Sequence, residues 1–174
     1  MTLEQLWAGW RIPYIEDADA HHDRRRGEVP EGTTLFEAIF RSDLSAEEKY
    51  LLWRGDTCFA ILNAFPYTSG HVMVLPQRGV ARLTDLHAAE HAELWDGVRM
   101  ATDAIENAYR PHGINVGANL GRGAGAGIPD HLHVHVLPRW SGDTNFMTAV
   151  ANTRVLPETL ADSWRRLVEA WPAS

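Results

Sequence analysis

The spacing of apolar residues changes period several times along this chain, and each change marks an element. Leu3, Leu6, Trp7 and Trp10 fall on one side of a short helix expected over residues 3–11. Residues 17–32 are polar and turn-rich and read as a loop, with Arg24-Arg25-Arg26 as a solvated charge run. Helical spacing returns in Leu35-Phe36-Glu37-Ala38-Ile39-Phe40, and Ser45-Ala46-Glu47-Glu48 has the layout of a capping box. Residues 50–54 and 57–63 then read as two strands joined through Gly55-Asp56, residues 65–70 as a loop, and residues 71–76 as a third strand. A long helix is expected over residues 88–109, with Leu94, Val98, Ala101, Ile105 and Ala108 on its apolar face and Arg110-Pro111-His112-Gly113 as its stop. Strand character resumes over residues 114–119. A glycine-rich run over residues 121–127 leads to the apolar segment 131–137, closed by Pro138. Residues 146–150 form a last strand candidate, and a final helix is expected over 157–170, with proline at an early helical position. No repeat and no linker divides the chain. The expected fold is a single α+β domain, an antiparallel sheet covered on one face by helices.

Composition narrows the class. At 174 residues the chain is long enough for one domain with a true core, and 45% hydrophobic with 22% charged residues is an ordinary soluble balance. No apolar stretch is long enough to span a bilayer, and Met1-Thr2-Leu3-Glu4-Gln5-Leu6-Trp7 shows no secretory signal. The single cysteine, Cys58, excludes an internal disulfide and fits a reducing cytoplasm. A net charge of −7 argues against duplex nucleic acid as a partner. The seven tryptophans are scattered and read as core and interface packing rather than as base-stacking platforms.

Chemistry concentrates in His131-Leu132-His133-Val134-His135-Val136-Leu137. In a strand, alternate residues share a face, so the three imidazoles are expected side by side, about 7 Å from one to the next, with Leu132, Val134 and Val136 in the core behind them. Each imidazole carries two polar nitrogens that need partners, which makes packing alone a poor reason for three of them. Three readings follow. The histidines ligate a metal, although three collinear side chains span too far for one ion. They are satisfied structural residues. Or one neutral imidazole is a nucleophile and its cationic neighbours hold phosphate oxygens.

The glycine-rich run Gly121-Arg122-Gly123-Ala124-Gly125-Ala126-Gly127 is not a dinucleotide fingerprint, because it opens a strand rather than a helix, and it lacks the Gly-Lys-Ser/Thr of a phosphate loop. It reads either as a flexible connection or as a cradle of backbone N–H groups for an anion; its closeness to the histidines favours the cradle.

The alternating histidines resemble the signature of the histidine-triad superfamily. The resemblance extends through residues 62–76, Asn115-Val116-Gly117-Ala118-Asn119-Leu120-Gly121, Ala124-Gly125-Ala126-Gly127-Ile128 and Pro138-Arg139-Trp140-Ser141-Gly142-Asp143-Thr144-Asn145-Phe146-Met147. These blocks resemble the fragile-histidine-triad-like branch, and within it the bacterial diadenosine tetraphosphate phosphorylases and hydrolases. The similarity covers residues 53–150. It implies a histidine-triad (HIT)-like fold with about five antiparallel strands, a long helix and a C-terminal helix. The domain plan is then a variable N-terminal extension (1–49), a core (50–150) and a C-terminal helix (151–174).

The implied activity is cleavage of the α–β phosphoanhydride of dinucleoside polyphosphates through a covalent nucleotidyl-histidine; nucleoside phosphoramidate hydrolysis and slow-turnover nucleotide binding are the alternatives. By resemblance, His133 is the nucleophile, with His131 and His135 flanking it. His71 joins the phosphate site, Asn63 holds ribose hydroxyls, and Asn119 contacts the α-phosphate. Ile61 and Met73 wall the base, and the backbone at Gly127 serves where relatives carry a serine, threonine or glutamine. Thr34-Leu35-Phe36-Glu37 stands where many bacterial members have Cys-x-x-Cys, and Gly79 where a histidine is common, so no structural zinc is expected. No tightly bound cofactor is expected; magnesium enters at most with the substrate's polyphosphate. A homodimer is implied, with Trp95 and its apolar neighbours as contributors.

Overall fold

Cys58, Ala60 and Leu62 alternate with Phe59 and Ile61, so the strand they form is apolar on both faces and has to be covered twice. The computed structural model, which describes residues 29–143 and 156–173, shows how this is done. Helix α1 (Leu35–Arg41) is followed by β1 (Leu51–Arg54), β2 (Cys58–Leu62), β3 (Val72–Pro76), helix α2 (Ala88–Tyr109), β4 (Gly113–Gly117), β5 (Val134–Arg139) and helix α3 (Leu160–Ala170). The strands form one sheet in the order β1-β2-β3-β5-β4, each pair antiparallel. The architecture is α+β, as the pattern predicts. The helix expected at 3–11, the basic run at 24–26 and the strand at 146–150 lie outside the described residues.

One face of the sheet carries the main core. Ala60, Leu62, Val72, Val74, Leu132, Val134 and Val136 pack against Leu94, Val98, Ala101 and Ile105 of α2 and Leu167 of α3. The apolar stripe read for α2 is therefore buried as expected, and its span matches residue for residue. The opposite face is not bare. Phe59, Ile61, Met73 and Leu75 meet Phe36 and Phe40 of α1 in a second, smaller cluster. Helix α1 starts where the sequence offers a reason: Thr34 caps it, with its hydroxyl accepting from the Glu37 N–H while the Glu37 carboxylate accepts from the Thr34 N–H. The Ser45–Glu48 capping box forms as well.

The histidine segment departs from the expected geometry. β5 begins only at Val134 and runs through Pro138 to Arg139, so His131 and His133 precede the strand. Val72 pairs with Val136, Met73 with His135 and Val74 with Val134. Continuing that register would set Leu132 against Pro76, which has no N–H to give to a ladder. The Leu132 N–H instead donates to the Val80 carbonyl at 2.6 Å. Freed from the ladder, the residues before Val134 send their histidines to separate partners.

Candidate active site

Three of the four imidazoles are tied down by a group that admits one role only, and the fourth takes its role from one of them. A backbone carbonyl accepts and a backbone N–H donates, so such contacts fix where the ring proton lies. His133 Nδ1 is 2.8 Å from the His131 carbonyl, so Nδ1 carries the proton and donates it. In the neutral ring this leaves Nε2 with a bare lone pair. His131 Nε2 is 2.9 Å from the Pro76 carbonyl and donates to it. The Tyr67 N–H donates to His71 Nδ1 at 3.1 Å, so the His71 proton sits on Nε2, which faces His135 Nδ1 at 2.9 Å. His135 therefore accepts at Nδ1 and carries its own proton on Nε2. That nitrogen is buried and has no partner among the described residues.

Burial decides the charge. His131, His133 and His135 are all buried, and His71 is fully so. Desolvation pushes His131 and His135 down to about 4, and lowers His133 against the opposing pull of its bond to the His131 carbonyl. The flanking rings are thus neutral at pH 7. The expectation of cationic neighbours is corrected: these rings act as oriented N–H donors, because the apolar surroundings disfavour charge. The expectation of three rings side by side is corrected too. His133 and His135 stand edge to face with centroids 4.9 Å apart, and His135 also faces His71 at 5.0 Å, while His131 turns toward α1.

A cleft of about 560 Å³ opens over this arrangement. It brings together Ile61, Asn63, Met73, Asn119, Gly127, His133 and His135. His133 is only 7% exposed, yet it lines the cleft. His131 and His71 do not line it and act from behind. Ile61 and Met73 are cross-strand partners, so each is both core and cleft wall. Asn63 is bent inward, its Oδ1 accepting from the Phe65 N–H at 2.9 Å. The glycine-rich loop is wound into a tight turn over Arg122–Ala124, and its amides at Ala124, Gly125 and Ala126 are satisfied within the loop. Gly125 and Gly127 of that run line the cleft.

Two contributors were not legible as such. Phe36 packs edge-on to His131 at 5.4 Å and tilted to His133 at 5.5 Å, and Leu35 and Ile39 join it in lining the cleft. Tyr67 supplies the amide that orients His71. Helix α1 was readable as a helix from its spacing, but nothing local marks a contact between residues 97 positions apart.

The model of the HIT domain family matches residues 46–142, more than half of the chain. The chain belongs to the HIT family. Among HIT relatives, an AP-4-A phosphorylase of Mycobacterium tuberculosis is 42% identical over 169 residues, spanning 97% of this chain and 85% of that protein. An asymmetrical bis(5'-nucleosyl)-tetraphosphatase of Schizosaccharomyces pombe is 38% identical over 93 residues, 53% of this chain and 50% of that protein. The crystal structure of a Zn-bound histidine triad family protein from Mycobacterium smegmatis aligns with a TM-score of 0.63 at 27% identity, covering 79% of this chain and 91% of that one. His131, His133 and His135 all fall inside the matched region, and His133 and His135 line the cleft.

Proposed function

We propose that this HIT protein cleaves the α–β phosphoanhydride of dinucleoside polyphosphates by way of a nucleotidyl-histidine at His133. The observation that carries the reading is the bond from His133 Nδ1–H to the His131 carbonyl, which leaves the Nε2 lone pair of His133 at the cleft. The lone pair attacks the α-phosphorus; a P–N bond forms, and the bridging P–O bond breaks with its electron pair leaving on oxygen. Positive charge develops on the ring as this happens, and the His131 carbonyl at Nδ1–H stabilises it. The Nε2–H of His135 donates a hydrogen bond to a phosphate oxygen and steadies the leaving phosphate, which departs as an anion, while the Nε2–H of His71 supports its Nδ1. Water or inorganic phosphate then attacks the phosphorus and breaks the P–N bond. Asn63 toward the ribose, Asn119 and the Gly127 amide toward the α-phosphate, and Ile61 and Met73 against the base complete the reading, which all five residues support by lining one cleft. The 42% identical AP-4-A phosphorylase supports the substrate class and favours phosphate as acceptor.

A structural zinc does not fit the residues at the position resemblance implies. Thr34 and Gly79 offer no thiolate or imidazole, both nitrogens of His131 are engaged within the protein, and the Glu37 carboxylate is held by Thr34 and Arg41. Among the described residues, no group of three His, Cys, Asp or Glu side chains is placed to hold a metal. The reading includes no resident metal, with magnesium accompanying the polyphosphate. It also includes a homodimer, supported by Trp95, 44% exposed on α2, and by Val116 and Leu120 exposed at the β4 side of the sheet. A cytoplasmic setting rests on the free thiol of Cys58.

Digestion of diadenosine tetraphosphate with and without inorganic phosphate tests the reaction. ADP and ATP formed only with phosphate mean phosphorolysis; AMP and ATP formed without it mean hydrolysis. No cleavage under either condition, or full turnover by His133→Ala, refutes the assignment.

A further inference from the structure

Helix α1 reaches the triad through its capping residue. Thr34 Oγ1 is 2.5 Å from His131 Nδ1. Because the Pro76 carbonyl holds the proton on Nε2 of His131, Nδ1 of the neutral ring is a lone pair and the Thr34 hydroxyl is its donor. The same hydroxyl lies 3.1 Å from Glu37 Oε2, which also accepts the Thr34 N–H at 2.9 Å, and Arg41 holds the other Glu37 oxygen at 3.2 Å. One hydroxyl hydrogen serves one acceptor at a time, so it points at the ring and leaves the carboxylate to seat the threonine. The space is closed by a missing side chain: a Cβ on Gly79 would stand 2.5 Å from Thr34 Cγ2 and 2.8 Å from Glu37 Oε2. Thr34 does not line the cleft.

We propose that Thr34, seated by Glu37, is a positioning residue for the reaction: it locks the His131 ring, and with it the His131 carbonyl that orients the nucleophilic ring of His133. The chain of contacts is continuous, from the Glu37 N–H to the Thr34 hydroxyl, to His131 Nδ1, and through the His131 backbone to His133 Nδ1–H. This rests on the assignment of His133 as nucleophile. Without the Thr34 hydroxyl, His131 Nδ1 has no donor, the ring is held at Nε2 alone, and the carbonyl that holds His133 loses part of its anchor. The effect belongs in kcat rather than KM, since Thr34 meets no substrate and misorienting a reacting group by an ångström costs about 10- to 100-fold.

Thr34 also caps α1, so the test has to separate capping from positioning. Glycine is nearly as good a cap as threonine, so Thr34→Gly removes the hydroxyl with α1 retained. Thr34→Ser keeps both functions. Imidazole nitrogen resonances of the free protein, labelled with 15N-histidine, report the tautomers directly. The expected result is a single tautomer for His133 in the wild type and in Thr34→Ser and a mixture in Thr34→Gly, where the His131 proton stays on Nε2 but its Nδ1 resonance moves toward that of an unbonded lone pair. With diadenosine tetraphosphate as substrate, Thr34→Gly loses at least about tenfold in kcat with KM held within about twofold, and Thr34→Ser restores it. Unchanged tautomers and unchanged kcat in Thr34→Gly overturn the proposal, as does a variant that only melts earlier while its folded fraction keeps wild-type kcat. If the wild type cleaves no dinucleoside polyphosphate, the functional reading fails by itself, and the resonances still decide what Thr34 does to His131.

Discussion

His71 and His135 meet nitrogen to nitrogen at 2.9 Å, and the direction of that bond is set from outside the pair by the amide of Tyr67. A contact that looks symmetric between two imidazoles is thereby made one-way, with the outward proton delivered to Nε2 of His135. His71→Ala leaves the Tyr67 N–H without this acceptor and His135 Nδ1 without its donor. We expect kcat to fall by about 100-fold or more, as for loss of a positioned hydrogen-bond donor at developing charge. Unfolding in urea should show a loss of about 1–3 kcal/mol for the buried polar groups left unpaired. Wild-type kcat in this variant would remove His71 from the mechanism.

Acid should destabilise the fold. His131 and His135 are held neutral by burial, down to about 4 from an ordinary 6.5. Below pH 6.5 the unfolded chain takes up protons that the native rings do not, so stability rises with pH between about 4 and 6.5 and is complete above it. Each group contributes a slope of at most about 1.4 kcal/mol per pH unit within that window. Melting temperatures between pH 4 and 8 check the sign; a melting temperature that is flat or climbs toward acid refutes the buried neutral state.

Activity should outlast the ordinary titration of histidine. Burial lowers His133 as well, so its lone pair persists to more acid pH than that of a free imidazole. The acid limb of kcat/KM is therefore expected below pH 6.5, where a solvent-exposed nucleophile would show it near 6.5. A limb at or above 6.5 would mean that His133 titrates in water.

Phe36→Ala should damage stability and catalysis together. Its ring is buried between His131, His133 and the second apolar cluster. Removing it costs about 3–5 kcal/mol by the usual cost of emptying an aromatic site. Phe36→Leu, which refills most of the volume, should recover most of that stability and separate packing from ring contact. Equal unfolding free energies for wild type and Phe36→Ala, measured in urea, would show that α1 does not rest on the triad.

Gly70→Ala tests the turn that delivers His71. Gly70 has φ +74°, and a Cβ there would stand 2.6 Å from Cε2 of Tyr109. Left-handed strain of about 1–2 kcal/mol adds to a steric cost of similar size. A loss of about 2–4 kcal/mol in urea unfolding is expected, and full stability would mean that the turn relaxes without cost.

Much of the site was legible because its residues are close in sequence and their alternation is a local property. Alternation put Leu132, Val134 and Val136 into the main core, and matched motifs named Asn63, Asn119 and Gly127 in advance of their meeting in one cleft. The helix over residues 88–109 was legible for the same reason, since a 22-residue apolar stripe with a clear stop leaves little freedom. What failed was the assumption that the histidine strand continues unbroken. That depended on Pro76, which belongs to a neighbouring strand and which no reading of residues 131–137 consults.

By itself, then, the sequence determined the order of the described elements, the buried face of α2 and of residues 132–136, and the family to which the histidines belong, because those follow from periodicity and local motif. Only the tertiary structure decided which nitrogen of each imidazole carries the proton, that the flanking rings are neutral, and that α1 closes over the triad. The physical reason is that tautomer and charge are set by partners and by burial. Thr34, Tyr67 and Pro76 reach their histidines across the fold or across a loop, and no local pattern encodes either the meeting or the loss of water that goes with it.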